Sequence, residues 1–277
     1  MTNQIRIKKK ILPFNKRIEV DGDKSLSIRW VLLSSLSKKK SVAYNLLKSD
    51  DVLSAISCIK KLGAKVKFIK NKCEIIGAGL NYKYKKNLTL DAGNSGTLGR
   101  LILGLLINYK NKFKLVGDKS LEKRDFSRVT TPLEKFGASF SKKNNLPILM
   151  KGVNNPKSIN YFEKKGSAQC KTAIMLAGLK SKGITKIKAK KSRDHTELLF
   201  KYLKLPLKVK KFKNYDLISI KGIKDIKPLN YKIPGDISSC SFFIVLTILS
   251  KNSKLLIRNI NINPTRIGII HILKKIQ

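Results

Sequence analysis

Arginine, histidine, cysteine and acidic residues are all scarce in this chain of 277 residues. Lys and Arg together number 60 against 17 Asp and Glu, yet only nine of the 60 are arginine. Two histidines and four scattered cysteines (Cys58, Cys73, Cys170, Cys240) form no Cys-x-x-Cys pair and no group with metal-ligand spacing. That argues against a metal centre or a disulfide framework and predicts free thiols in a reducing cytoplasm. No Gly-x-Gly-x-x-Gly string and no P-loop string occurs, so neither a dinucleotide fold nor a P-loop enzyme is supported. The opening stretch MTNQIRIKKKILPFNKR lacks the apolar block of a signal peptide, and no run approaches transmembrane length. No targeting or membrane segment is expected.

What is present is enough apolar residue, 42% of the chain, to bury a real core in one large or two ordinary domains. The formal net charge of +43 suggests a polyanion partner at first sight. The lysines, however, lie everywhere, beside abundant Ile and Asn, in the manner of a compositional drift. Where a solvated cation suffices, lysine is used. The few arginines then mark places where a planar bidentate fork is needed, and most of them fall in the segments described next.

Four long apolar runs each begin with Gly and Ser: GDKSLSIRWVLLSSL, AGNSGTLGRLILGLLI, KGSAQCKTAIMLAGL and PGDISSCSFFIVLTIL. Their serines, Ser25, Ser95, Ser167 and Ser238, are spaced by 70, 72 and 71 residues. Each run reads as a helix buried on most sides and begun by a Ser or Asn cap. An offset series, SDDVLSAISCIKKLGA, RDFSRVTTPLEKFGA, RDHTELLFKYLKL and NPTRIGIIHILKKI, is amphipathic. Gly63 and Gly137 end the first two as C-caps. Short β-prone runs lie between, among them AKVKFI, KCEIIG, NLTLDAG, KFKLVGD, ITKIKAK, LKVKKF, DLISIKG and KLLIRNI. The repeating unit is therefore strand, buried helix, strand, amphipathic helix and two strands. Three units are complete, and a fourth is cut short at Gln277.

The pentapeptide GDKSL occurs at Gly22–Leu26 and again at Gly117–Leu121, at positions that are not equivalent in the repeat. Both sit at strand-to-helix junctions, which offer backbone N–H groups, a positive dipole end and a cation. Taken singly, such a start is an ordinary helix cap, and Arg29, Arg100 and Arg124 are ordinary surface cations. Recurrence at one spacing, together with the scarcity of arginine, turns the reading toward a shared polyanionic ligand. Asp194-His195 beside Arg193 reads as a cap cluster.

In order, GDKSLSIR, DAGNSGTLGRL, GDKSLEKRDFSRV with PLEKFGA, GSAQCKTAIMLAGL, SRDHTELL, PGDISS and NPTR resemble the EPSP synthase (3-phosphoshikimate 1-carboxyvinyltransferase) family across nearly the whole chain. The resemblance implies an α/β fold, the inside-out α/β barrel built from repeated βαβαββ units, three to a domain. It implies transfer of the enolpyruvyl group of phosphoenolpyruvate to the 5-hydroxyl of shikimate 3-phosphate, in the shikimate pathway of aromatic amino acid biosynthesis. No metal or organic cofactor is implied. By the same likeness Lys24, Ser25, Arg29, Ser167, Ala168, Gln169 and Arg193 would contact shikimate 3-phosphate. Lys24, Gly96, Arg124 and Gln169 would contact phosphoenolpyruvate. Two phosphates and two carboxylates suit this set of arginines, lysine and helix N-termini.

Asp21 and Asp125 stand where the family has proline, and either is expected to loosen a substrate loop. The family's catalytic Asp and Glu, two further phosphoenolpyruvate arginines and a late lysine lie C-terminal to the NPTR segment. No catalytic acid–base residue is therefore identified within this chain, and little or no turnover is expected of it alone. Residues 23–229 are expected to form one complete domain, and 1–20 with 233–277 an incomplete part of the other. Apolar helices such as Ser239–Leu249 would then lack partners. A truncated or split gene, or a chain that works with a separately encoded C-terminal piece, accounts for this equally. The competing class is a basic polyanion- or nucleic-acid-binding protein on the same scaffold. It is disfavoured because the lysines form no single stripe and aromatics are only 7%.

Overall fold

A computed structural model of the chain describes residues 10–82 and 86–276. The elements run β1 (Asn15–Ile18), α1 (Lys24–Ser34), β2 (Lys40–Tyr44), α2 (Asp50–Lys61), β3 (Lys65–Ile69) and β4 (Lys72–Ile76). Then follow β5 (Leu88–Asp91), α3 (Gly96–Leu105), β6 (Lys112–Val116), α4 (Lys119–Glu122), α5 (Ser127–Lys135), β7 (Ser139–Lys142) and β8 (Ile148–Lys151). The third stretch is β9 (Asn160–Glu163), α6 (Ala168–Gly178), β10 (Ile184–Lys190), α7 (His195–Tyr202), β11 (Leu207–Lys211) and β12 (Tyr215–Lys221). Last come β13 (Tyr231–Lys232), α8 (Ile237–Leu249), β14 (Lys254–Ile257) and α9 (Gly268–Ile276). The chain divides into two compact units, Lys24–Ile233 and Met1–Asp23 with Pro234–Gln277.

The larger unit holds three four-stranded sheets of one design, ordered β13-β2-β4-β3, β5-β6-β8-β7 and β9-β10-β12-β11. In each, the first pair is parallel and the other two are antiparallel. Parallel neighbours need a crossover, and in the second and third sheets α3 and α6 supply it. The first sheet is built differently from the order of its sequence. Its opening strand is β13, which arrives some 190 residues after β2 and pairs Tyr231 with Ala43. The strand that precedes α1 in sequence, β1, pairs instead with β14 in the smaller unit.

The three apolar helices α1, α3 and α6 are buried along nearly their whole length. Around them α2, α5 and α7 bury one face each, as their spacing of apolar residues requires. Helices α3 and α6 approach so closely that a Cβ at Gly104 would collide with the Ala173 carbonyl. Gly63 and Gly137 take positive φ, +98° and +107°, past the ends of α2 and α5. The N–H groups of Ala64 and Ala138 return to Ile59 and Leu133, closing the paired turn that only a left-handed residue permits.

The four serines do not play one part. Ser95 and Ser167 cap α3 and α6, accepting from the N–H of Leu98 and Cys170. Ser25 and Ser238 lie inside the first turns of their helices, and at α8 the cap is Asp236, which accepts from Ser238 N–H. At α4 and α8 the Gly-Asp-x-Ser junction places an aspartate, Asp118 or Asp236, directly before the helix, and its carboxylate takes a first-turn N–H in place of the serine two residues on.

In the smaller unit, Arg266 Nη2 donates to Ser238 Oγ (2.6 Å) and Asp236 Oδ1 (3.2 Å), fixing the start of α8. Beyond its first turn this helix shows its apolar side chains to solvent, with Phe242 79% and Leu249 78% exposed. Among the described residues no helix is long and apolar enough to cross a membrane.

Candidate functional site

All nine residues singled out from sequence lie in the larger unit. Their placement starts from two loops. In DAGNSG, Asp91 Oδ1 accepts from Gly93 N–H (2.8 Å) and Gly93 adopts φ +54°, turning the chain from β5 into α3. In the second GDKSL, Asp118 caps α4 through Leu121 N–H (2.7 Å). The two loops are stitched together, because Asp118 N–H donates to Gly93 O (2.9 Å) and Asn94 Nδ2 donates to the Asp118 carboxylate. These bonds hold the Asp118 carboxyl below the usual carboxylate range. Arg124 follows α4, exposed, with Nη2 donating to Asn94 Oδ1 (3.3 Å). So the second GDKSL braces the loop that carries Arg124.

Gly96, the first residue of α3, is flanked by two guanidiniums. A Cβ there would meet Arg100 Nη1 at 2.9 Å and Arg124 Nη1 at 3.0 Å. Arg100 is fixed by Gly96 O (3.2 Å), by Asp125 O (3.1 Å) and by the face of Phe126, 5.0 Å from its ring centroid. Burial first, then the nearby charges of Arg124 and Arg128, lowers its pKa below the usual arginine range. Two guanidiniums flanking one helix N-terminus are an arrangement suited to an anion. Arg100 is absent from the expected contacts. Its signal in the sequence was there: a lone charge one turn into an otherwise apolar helix.

The third loop is shaped by buried Glu163, whose carboxylate accepts from Lys165 N–H (3.1 Å) and Ser167 N–H (2.9 Å). Gly166 at φ +65° completes the turn into α6. Gln169 then joins α6 to α3, accepting from Arg100 Nη1 (2.9 Å) and donating Nε2 to Thr97 Oγ1 (3.0 Å). Gly96, Arg124 and Gln169 are thus brought together around Arg100.

A second cluster lies on α1. Arg29 is buried, with Nη1 on Ser25 O (2.9 Å), Nε on Thr196 Oγ1 (2.8 Å) and Nη2 on Thr172 Oγ1 (3.3 Å). Thr172 Oγ1 in turn donates to Ala168 O (2.7 Å), in the turn of Ser167 and Gln169. Lys24 reaches Asp51 on α2 (2.7 Å). Arg193 is exposed ahead of α7. Asp194 is the N-cap residue of α7, its carbonyl accepting from Leu198 N–H (3.0 Å), and its carboxylate lies 3.5 Å from Lys211 Nζ.

Asp125 has a local hydrogen bond of its own. Its Oδ1 accepts from Ser127 N–H (2.7 Å) and opens α5 as an aspartate turn, so the lost proline is replaced by a hydrogen bond. Cys170, beside the site, is buried and donates to Arg128 O (2.8 Å), and burial pushes its thiol up to about 12. Among the described residues no three His, Cys, Asp or Glu side chains gather as metal ligands.

A family model described as EPSP synthase (3-phosphoshikimate 1-carboxyvinyltransferase) matches residues 8–277. A 3-phosphoshikimate 1-carboxyvinyltransferase of Caldicellulosiruptor saccharolyticus is 41% identical over 264 residues, which are 94% of this chain and 60% of that protein. One from Bacillus cytotoxicus is 37% identical over 265 residues, with shares of 94% and 61%. The solved EPSP synthase from Acinetobacter baumannii matches with a TM-score of 0.85 at 32% identity, over 96% of this chain and 61% of its own. The chain therefore spans about three fifths of the length of these relatives. Sheet design, motif order and these matches agree that the chain belongs to the EPSP synthase family.

Proposed function

We propose that the larger unit, as one complete three-unit domain, holds shikimate 3-phosphate and phosphoenolpyruvate for enolpyruvyl transfer to the 5-hydroxyl, with release of phosphate. Gly96, Arg124, Gln169 and Lys24 take phosphoenolpyruvate, with Arg100 added to that set. Lys24, Ser25, Arg29, Ser167, Ala168, Gln169 and Arg193 take shikimate 3-phosphate. The observation that carries this reading is Gly96 between two guanidiniums at the start of α3, where a Cβ would crowd both cations and the helix N-terminus they flank. Placing two anions against preorganised cations supplies orientation and charge stabilisation.

The carboxylates near these residues already have partners, and Asp51 is paired with Lys24 of the site itself. Asp118, Asp125 and Glu163 accept from backbone N–H groups, and Glu197 pairs with Lys171. The proton transfers of the family reaction are assigned to none of them. The reading for this chain is therefore binding and positioning. Four buried free cysteines support a place in a reducing cytoplasm.

The test is calorimetric titration of the purified chain with shikimate 3-phosphate, with and without phosphoenolpyruvate. Saturable binding that is lost in Arg193→Ala is expected. No binding of either ligand by a folded chain overturns the proposal.

A further inference from the structure

Arg29 lies in the middle of the apolar helix α1, only 4% exposed, between Ile28 and Trp30. A buried guanidinium is costly unless its N–H groups are matched by acceptors. Two of its acceptors are threonine hydroxyls, Thr196 and Thr172, which lie 2.6 Å from each other. Distance alone leaves open which of the two donates, but the number of protons decides it. A hydroxyl has one proton. Thr172 Oγ1 is 2.7 Å from Ala168 O, and a carbonyl only accepts. Thr172 therefore gives its proton to Ala168, and Thr196 gives its own to Thr172. The donors run in one direction, from Arg29 to Thr196 to Thr172 to Ala168. The last member belongs to the Ser167–Ala168–Gln169 turn.

We propose that Thr172 and Thr196 are positioning residues, whose hydroxyls aim Arg29 and register it against the first turn of α6. Arginine and turn then meet the ligand as one preset unit. This rests on the reading of the site as one for shikimate 3-phosphate and deepens it. A second contact keeps the two threonines at this spacing. Lys171 Nζ meets Glu197 Oε1 at 2.5 Å, with both side chains buried, one residue along from Thr172 on α6 and from Thr196 on α7. This pair clamps α6 to α7 at the level where the hydroxyls touch.

Thr→Val removes a hydroxyl at nearly constant shape, and Thr→Ser keeps it. Two measurements on the full chain decide the matter: the NMR signal of the Arg29 Nε–H, assigned with Arg29→Lys, and calorimetric affinity for shikimate 3-phosphate. Thr196→Val is expected to shift that signal, to speed its hydrogen exchange and to weaken binding about tenfold, with Thr196→Ser restoring both. Thr172→Val is expected to weaken binding in the same sense. The proposal is overturned if the valine variants leave the signal in place, or move it without changing affinity. Should Thr196→Val not fold, Thr196→Ser carries the test, and loss of signal or affinity in it overturns the proposal. If the wild-type chain binds no shikimate 3-phosphate, the reading of the site fails, while the Nε–H signal still decides whether the hydroxyls hold Arg29.

Discussion

Arg100 Nη1 donates to Gln169 Oε1 at 2.9 Å, so a side chain on α3 and one on α6 share a hydrogen bond at the N-terminal ends of two buried helices. The same nitrogen lies against Gly96, and the other terminal nitrogen holds the Asp125 carbonyl. One guanidinium therefore sets the spacing of three segments that are far apart in sequence. Lysine keeps the charge but has no fork to span them. Arg100→Lys is expected to weaken phosphoenolpyruvate binding roughly tenfold, the equivalent of one charge-assisted hydrogen bond. Titration with phosphoenolpyruvate checks this, and unchanged affinity would refute it.

Gly104 faces the Ala173 backbone across the α3–α6 contact. Carbonyl and helix backbone cannot move aside as a flexible side chain does. Gly104→Ala is expected to destabilise the larger unit by about 1–3 kcal/mol, the range for overpacking a close contact. Thermal unfolding reads this as a lowered Tm, and a Tm equal to wild type would show that the helices separate freely.

Lys180 follows α6, and its Nζ donates to Leu105 O (2.6 Å) and Asn108 Oδ1 (2.9 Å), 4.5 Å from the Tyr82 ring centroid. Burial lowers its pKa from 10.5 to about 7. Between those values the unfolded chain holds a proton that the folded chain has lost. Stability contributed at this site therefore rises with pH through that window and is smallest at and below neutrality. The Tm of wild type relative to Lys180→Met is expected to climb between pH 7 and pH 10. Parallel curves for the two proteins would sink the assignment.

The apolar side of α8 carries Phe242 and Leu249, each nearly four-fifths exposed, with Phe243 and Ile248 partly so. An apolar face of this kind promotes association. The purified chain is expected to self-associate, and the double change Phe242→Lys, Leu249→Lys to reduce it. Light scattering across a dilution series checks this, and a monodisperse wild-type monomer would count against it.

Much of the architecture was legible because it is local. Period and capping mark the helices: the Gly-Ala ends of α2 and α5 and the serine caps of α3 and α6 follow from a few neighbouring residues. The site was partly legible, since Gly96, Arg124 and Gln169 lie in recurring loop motifs. Arg100 stood out as a scarce arginine in an apolar helix, but its contacts were not legible, because Gln169 and Asp125 lie 69 and 25 residues away. Thr172 and Thr196 were hidden for the same reason, since a threonine inside a helix looks ordinary until its partner is seen.

The sequence by itself determined the seventy-residue period, the alternation of buried and amphipathic helices and the loops that carry Gly96, Arg124 and Gln169. All of these are set by near neighbours along the chain. Only the tertiary structure decided that β13, not β1, completes the first sheet, and that Arg29 is held by hydroxyls from α6 and α7. A strand of two to four residues carries too little pattern to name its partner, and a hydrogen bond across 167 residues leaves no trace in local periodicity.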